Sequence, residues 1–128
     1  MQPDRLTIKA QEALQQAQQL AHQNSNQEVD AAHLLAALLE QQDSLVPPLL
    51  QKIGASPPAL AAAVQREIDR KVKVHGAPSA DLYSSLALKK TLDAAASQAT
   101  QLHDEYISAE HLLLGLLEQA EPPLKKIL

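Results

Sequence analysis

At 128 residues the chain has the length of one domain and can bury a single core. Its formal net charge of −4 argues against the basic stripe of a nucleic-acid binder, and the absence of cysteine excludes disulfides, thiolate metal sites and thiol nucleophiles. No apolar run reaches the ~20 residues of a membrane span, and the polar opening MQPDRLTIKAQ lacks a signal-peptide core, so a soluble domain, cytoplasmic or organelle-stromal, is expected.

Tyr83 and Tyr106 are the only aromatics, glycine is scarce, and the helix-favouring residues Ala, Leu, Gln, Glu and Lys dominate. The stretch LTIKAQEALQQAQQLA reads as a first helix, with Thr7 as N-cap and Ile8, Ala13, Leu14, Ala17, Leu20 and Ala21 at near-helical spacing. HQNSNQE ends it. Asp30 then caps a second helix in which Leu34, Leu35, Leu38 and Leu39 form a broad apolar face. SLVPPLLQKIG reads as a short third helix, entered through Pro47-Pro48 and stopped by Gly54. A fourth follows in SPPALAAAVQREIDRKVK, with Ser56 as N-cap and Pro57 at the first helical position. Its basic run, Arg70-Lys71-Val72-Lys73, falls at a helix C-terminus, where cations suit the dipole. VHGAPSADLY, with Gly76 and Pro78, reads as a linker.

After the linker the order repeats. SSLALKKTLDAAASQATQL matches the first helix, with Ser85 in the place of Thr7 and Leu92 in that of Leu14. Ser108 replaces Asp30 as cap, and Leu112, Leu113, Leu116 and Leu117 replace the four leucines. DAAHLLAALLEQ at 30–41 and SAEHLLLGLLEQ at 108–119 agree at eight of twelve positions, 78 residues apart. EPPLKKIL then matches VPPLLQKI. The organisation expected is therefore repeat one over 5–73, a linker over 74–83 and repeat two over 84–128, the second copy stopping before a fourth helix. A chain that stops there reads as a fragment of a longer protein. The predicted fold is all-α: a pseudo-twofold tandem repeat of two four-helix units, the second truncated, forming a single compact helical domain. One short unit cannot bury its apolar face alone, whereas two can close on each other with the leucine stripes as core.

The polar residues offer little catalytic chemistry. Among His22, His33, His75, His103 and His111, no pair has the i,i+4 spacing with an intervening Glu that a helical zinc hydrolase needs. His33 and His111 are equivalent in the two halves and read as boundary imidazoles that pack or cap a helix start, not as metal ligands. His103 beside Asp104 has the composition of a base with an orienting carboxylate, but sequence places no nucleophile near them. There is no G-x-x-x-x-G-K-[ST], so no cofactor is expected in this domain. Asp104, Glu105 and Glu110 lie at or near the start of a capped helix, where carboxylates favour the dipole; their functional reading is as polar fixers beside an apolar groove.

Taken together, RLTIKAQEALQQAQQLA, HLLAALLEQ and ISAEHLLLGLLEQ closely resemble the Clp N-terminal repeat domain, a double helical module at the front of AAA+ unfoldases. The resemblance covers essentially the whole chain and is greatest to ClpB-type disaggregases. It implies a non-catalytic module that captures unfolded or aggregated polypeptide in a shallow apolar groove and delivers it to the pore of a hexamer. ATP and magnesium would belong to ATPase modules of the parent protein, and DnaK-system chaperones or an adaptor would be partners of that hexamer. By motif, Thr7, Asp104 and Glu110 match polar positions of the substrate-binding surface, and Leu92 and His111 fall where relatives line the groove. ClpC-type domains carry Glu-His in both repeats as readers of phosphorylated arginine; here Glu110-His111 has only Ala32-His33 as its counterpart. The alternatives are an adaptor-docking domain of a ClpC- or ClpA-type unfoldase and a stand-alone accessory subunit of a Clp protease.

Overall fold

The computed structural model describes residues 5–41, 44–52, 54–74 and 82–119. Among them the helices are α1 (Ile8–Gln23), α2 (Ala31–Glu40), α3 (Val46–Lys52), α4 (Pro57–Asp69), α5 (Leu86–Gln101) and α6 (Ala109–Gln119). Two short strands, β1 (Glu28–Val29) and β2 (Tyr83–Ser84), complete the described elements. The architecture is all-α, as the composition implies.

Helix starts fall where a short polar side chain can satisfy an orphan backbone N–H. Thr7 Oγ1 accepts from the Ala10 amide at 3.2 Å and Ser85 Oγ from the Leu88 amide at 3.0 Å. Ser56 caps α4 ahead of Pro57 at a longer 3.5 Å. The helices α1 and α5 each run 16 residues, and each is followed by a non-glycine residue at φ 58°, Ser25 and His103 respectively. The local backbone of one repeat is therefore copied in the other.

The repeats are tied through their helix entries. β1 pairs in parallel with β2, Glu28 opposite Tyr83 and Val29 opposite Ser84, while Leu6 forms an isolated parallel bridge with Ile107. Ser85 N donates to Val29 O at 2.9 Å, and Thr7 N donates to Ile107 O at 3.0 Å. Each segment that enters a first helix thus pairs with the segment entering the second helix of the other repeat. Sequence reasoning places Tyr83 in the linker and Glu28 in a polar turn, because two-residue strands are too short to show an alternating pattern.

The core gathers around α2, which touches α1, α3, α4, α5 and α6. Ala31, Ala32, His33, Leu34, Leu35, Ala37 and Leu38 of α2 are all buried. The α4 helix covers α2 and buries Leu60, Val64 and Ile68. From the second repeat come Ile107, Leu112 and Leu116, all fully buried. Each such side chain contributes about 1.5–3 kcal/mol of transfer free energy. Small residues set the spacing of the first two helices in each half: Ala10, Ala13, Ala17 and Ala21 face inward from α1. At Gly115 a Cβ would lie 2.5 Å from Thr91 O and 3.0 Å from Ala95 N, so α6 meets α5 backbone to backbone there.

Three expectations change. Ile8 is 75% exposed, because the inward face of α1 runs through Ala10, Ala13 and Ala17 and position 8 lies well round the helix from Ala10. Leu117, at the edge of its stripe, is also exposed; among the described residues α6 has no counterpart of the α4 helix that covers α2. Finally, α4 ends at Asp69, which leaves the basic run beyond the helix. Lys71 instead pairs with Asp30 at 2.7 Å, and Lys73 Nζ donates to Asn24 O at 2.9 Å. The helix expected over EPPLKKIL and most of the linker lie outside the described residues.

Candidate functional site

The segment that enters α6 organises four of the five expected site residues. Its Ile107 is fully buried and takes the Thr7 amide on its carbonyl, while its own amide donates to Arg5 O at 2.7 Å. Thr7 is thereby held beside the start of α6, half-buried. Its hydroxyl oxygen caps α1, and no acceptor for the hydroxyl hydrogen is found among the described residues. Asp104, Glu105 and Tyr106 precede Ile107 and are exposed, as are Leu102 and Ile8. The segment that enters α6 therefore exposes both carboxylates and apolar side chains.

His111 ties this face to the core. Its ring is nearly buried, at 7% exposure, so it cannot itself line an open groove to any extent. Nδ1 lies 2.9 Å from Ser108 N, and a backbone amide can only donate, so Nδ1 is the acceptor. The proton of the neutral ring must then sit on Nε2, which donates to Asp104 Oδ2 at 2.9 Å. Ser108 closes the cap, its Oγ accepting from His111 N at 3.3 Å. Asp104 consequently pairs with His111, seven residues on, and not with its neighbour His103. Glu110 stands in the first turn of α6, partly buried, where the helix N-terminus favours its charge. Leu92 is partly buried on α5 and joins the others through the packing of α5 on α6.

The same constellation exists in the first repeat in sealed form. His33 Nδ1 accepts from Asp30 N at 2.9 Å, and Nε2 pairs with Asn26 Oδ1 at 2.9 Å. Asn26, where the second repeat has Asp104, is 3% exposed and donates from Nδ2 to Val72 O at 3.1 Å. Ala32, in the place of Glu110, is buried. Ser85, in the place of Thr7, donates its hydroxyl to Asp30 Oδ1 at 2.6 Å, and Lys71 neutralises the same carboxylate. Burial alone would raise the Asp30 pKa. Hydrogen bonds from Lys71 and Ser85, the Lys71 charge and the Ala31 amide outweigh it and hold the carboxyl below its ordinary value. Burial also pushes the His33 pKa down to about 4, with the Lys71 and Lys73 charges acting the same way against the opposing pull of Asp30.

Sequence reasoning missed Asn26 as the counterpart of Asp104. The signal was available: the 78-residue offset that joins His33 to His111 also joins Asn26 to Asp104. Two open depressions lie elsewhere. One of about 500 Å³ is bounded by Asn26, Lys71 and Tyr83, and a smaller acidic one by Glu12, Glu40 and Gln41; neither is lined by an expected site residue. Among the described residues no three His, Asp or Glu side chains come together to hold a metal, and no helix is long and apolar enough to cross a membrane.

The chain is similar to known proteins in sequence and in fold. The family profile described as the Clp repeat (R) N-terminal domain matches residues 5–128. Chaperone protein ClpB of Nitratidesulfovibrio vulgaris is 42% identical over 117 residues, covering 90% of this chain and 14% of that protein. ClpB of Bacillus anthracis is 41% identical over 121 residues, covering 93% and 14%. The chain thus spans a small part of the length of these curated relatives. Among solved structures, the Hsp104 N-terminal domain from Candida albicans superposes with a TM-score of 0.83 at 24% identity, covering 95% of this chain and 78% of that one. The N-terminal domain of the ClpV1 ATPase from E. coli gives 0.81 at 23% identity, covering 97% and 77%; at such identities the likeness is one of fold.

Proposed function

The chain belongs to the family of Clp repeat N-terminal domains, and from that membership we propose that it captures unfolded or aggregated polypeptide for a ClpB-type disaggregase. The capturing face is the one that carries Thr7, Leu92, Asp104 and Glu110, with His111 behind it. The observation that supports this reading is the asymmetry of the repeats. One copy of the constellation ends on the buried amide Asn26, whereas the other ends on the exposed carboxylate Asp104, in the segment whose Ile107 carbonyl takes the Thr7 amide.

In this reading the domain binds and does not catalyse. ATP and magnesium belong to ATPase modules of the parent protein, which acts in the cytoplasm as a hexamer with DnaK-system chaperones. The exposed Ile8, Leu102 and Tyr106 offer apolar contact worth about 25 cal/mol per Å² buried. Ordering a flexible client offsets much of that gain, so micromolar or weaker affinity is expected. Weak capture suits a module that must release its client, and several domains around one ring add avidity through effective concentration. Ala32, in place of a second glutamate, speaks against the ClpC-type reading of phosphorylated arginine.

The test is fluorescence anisotropy with reduced, carboxymethylated α-lactalbumin, a permanently unfolded polypeptide. Saturable binding that weakens in an Asp104→Asn, Glu110→Gln variant supports capture through this face. Equal binding to native, folded lactalbumin, or none to the unfolded form, contradicts it. Retention of a folded stoichiometric partner in preference to the unfolded client would favour the adaptor-docking alternative.

A further inference from the structure

We infer that His111 is a positioning residue: its Nε2–H fixes the carboxylate of Asp104 in the orientation that meets a client. The inference rests on the proposed capture face and adds to it the device that holds its acidic group in place. Asp104 lies in the exposed turn after α5, with its side chain about half open to solvent at 49%. Left alone, such a carboxylate samples several rotamers, and ordering it on binding costs free energy. The ring of His111 removes that freedom. Its Nδ1 is already committed to the Ser108 amide at 2.9 Å, so the tautomer and the ring plane are set before Asp104 is considered. The one remaining donor, Nε2–H, then points at Asp104 Oδ2 from 2.9 Å. The second carboxylate oxygen, Oδ1, has no partner among the described residues and is left for a ligand.

The first repeat supplies an internal reference for this division of labour. His33 makes the same two contacts, but its Nε2 partner is the amide Asn26, which is buried and spends its other end on Val72 O. There the imidazole serves structure alone. Replacing the amide by a carboxylate and leaving it exposed changes what the same ring can do. A buried histidine becomes the support of an accessible anion, as a residue behind a metal or catalytic ligand orients the group in front of it.

Two substitutions at 111 separate capping from positioning. In His111→Asn the side-chain oxygen reaches roughly where Nδ1 stood and keeps the Ser108 cap, but nothing replaces Nε2–H. In His111→Gln the amide nitrogen reaches roughly where Nε2 stood and restores a donor to Asp104, while the cap is lost. With the 128-residue chain and labelled carboxymethylated α-lactalbumin, His111→Asn is expected to weaken binding about tenfold, and His111→Gln to recover most of that loss. On an Asp104→Asn background, His111→Asn should weaken binding no further. Ring ¹⁵N NMR of the unmodified chain should show Nδ1 bare and Nε2 protonated.

Protonation of Nδ1 in the neutral ring would overturn the inference directly. So would equal weakening by His111→Asn and His111→Gln, which would mark a purely structural residue. If Asp104→Asn weakens binding while His111→Asn does not, the positioning role fails and the capture face stands. If neither substitution alters binding, the capture face itself is wrong and the positioning role falls with it.

Discussion

Asn26 and Asp104 occupy the same position in the two repeats, 78 residues apart, and each meets the Nε2 of the histidine seven residues on at 2.9 Å. One is a buried amide, the other an exposed acid. The histidine is buried in both copies, and only the second repeat carries its partner at the surface.

The sealed copy makes stability depend on pH. The folded-state pKa of His33 is lowered to about 4, below the ordinary 6.5, so between these values the unfolded chain binds the extra proton. Its contribution is fully present above about pH 6.5 and is lost as pH falls toward 4. The loss is on the order of 3 kcal/mol. Asp30, also lowered, acts in the same direction at more acidic pH. Urea unfolding at pH 7 and pH 4.5 should show the difference, and it should shrink in a His33→Asn variant.

The carboxylate of Asp30 joins three elements: the start of α2, Lys71 beyond α4 and the Ser85 cap of α5. Removing it leaves a half-buried cation and a cap hydroxyl without their acceptor. Because Lys71 retains 27% side-chain exposure, the cost is below that of a fully buried pair. Asp30→Ala should destabilise the chain by about 2 kcal/mol, whereas Arg70→Ala, at an exposed i,i+3 pair, should change stability by about 0.5 kcal/mol or less; thermal denaturation compares them.

The contact between α5 and α6 yields a pair of opposite outcomes. Gly115→Ala gains about 1 kcal/mol of helix propensity but drives a methyl to 2.5 Å from Thr91 O, a backbone atom that cannot step aside cheaply. A net loss of about 1–2 kcal/mol is expected. Thr91→Val removes a buried hydroxyl that has no hydrogen-bond partner among the described residues and keeps the shape, so stability should rise by about 1 kcal/mol. Urea midpoints of the two variants check both signs.

Much of this fold was legible in the sequence because helices announce themselves through caps and periodicity. Thr7, Ser56 and Ser85 cap where expected, and Gly54 ends the third helix at φ 87°. The roles of His33 and His111 as helix-start imidazoles also emerged from the repeat. What stayed hidden was whatever depends on contacts between distant segments. No local pattern says that Thr7 pairs with Ile107, that Lys71 closes on Asp30, or that Asp104 turns from His103 toward His111. Ile8 shows the same limit, since an apolar residue in the first turn fits the helical spacing from either side.

The proposed capture face makes the two repeats unequal, with a client expected on the second-repeat side alone. Amide NMR of the 128-residue chain, titrated with carboxymethylated α-lactalbumin, distinguishes the two sides residue by residue. Shifts are expected at Thr7, Leu102, Asp104, Tyr106 and Glu110, with Asn26, Ala32 and Ser85 unmoved. Equal shifts around Ser85 and Asn26, or none near Thr7 and Asp104 at saturating client, would contradict the proposed capture face.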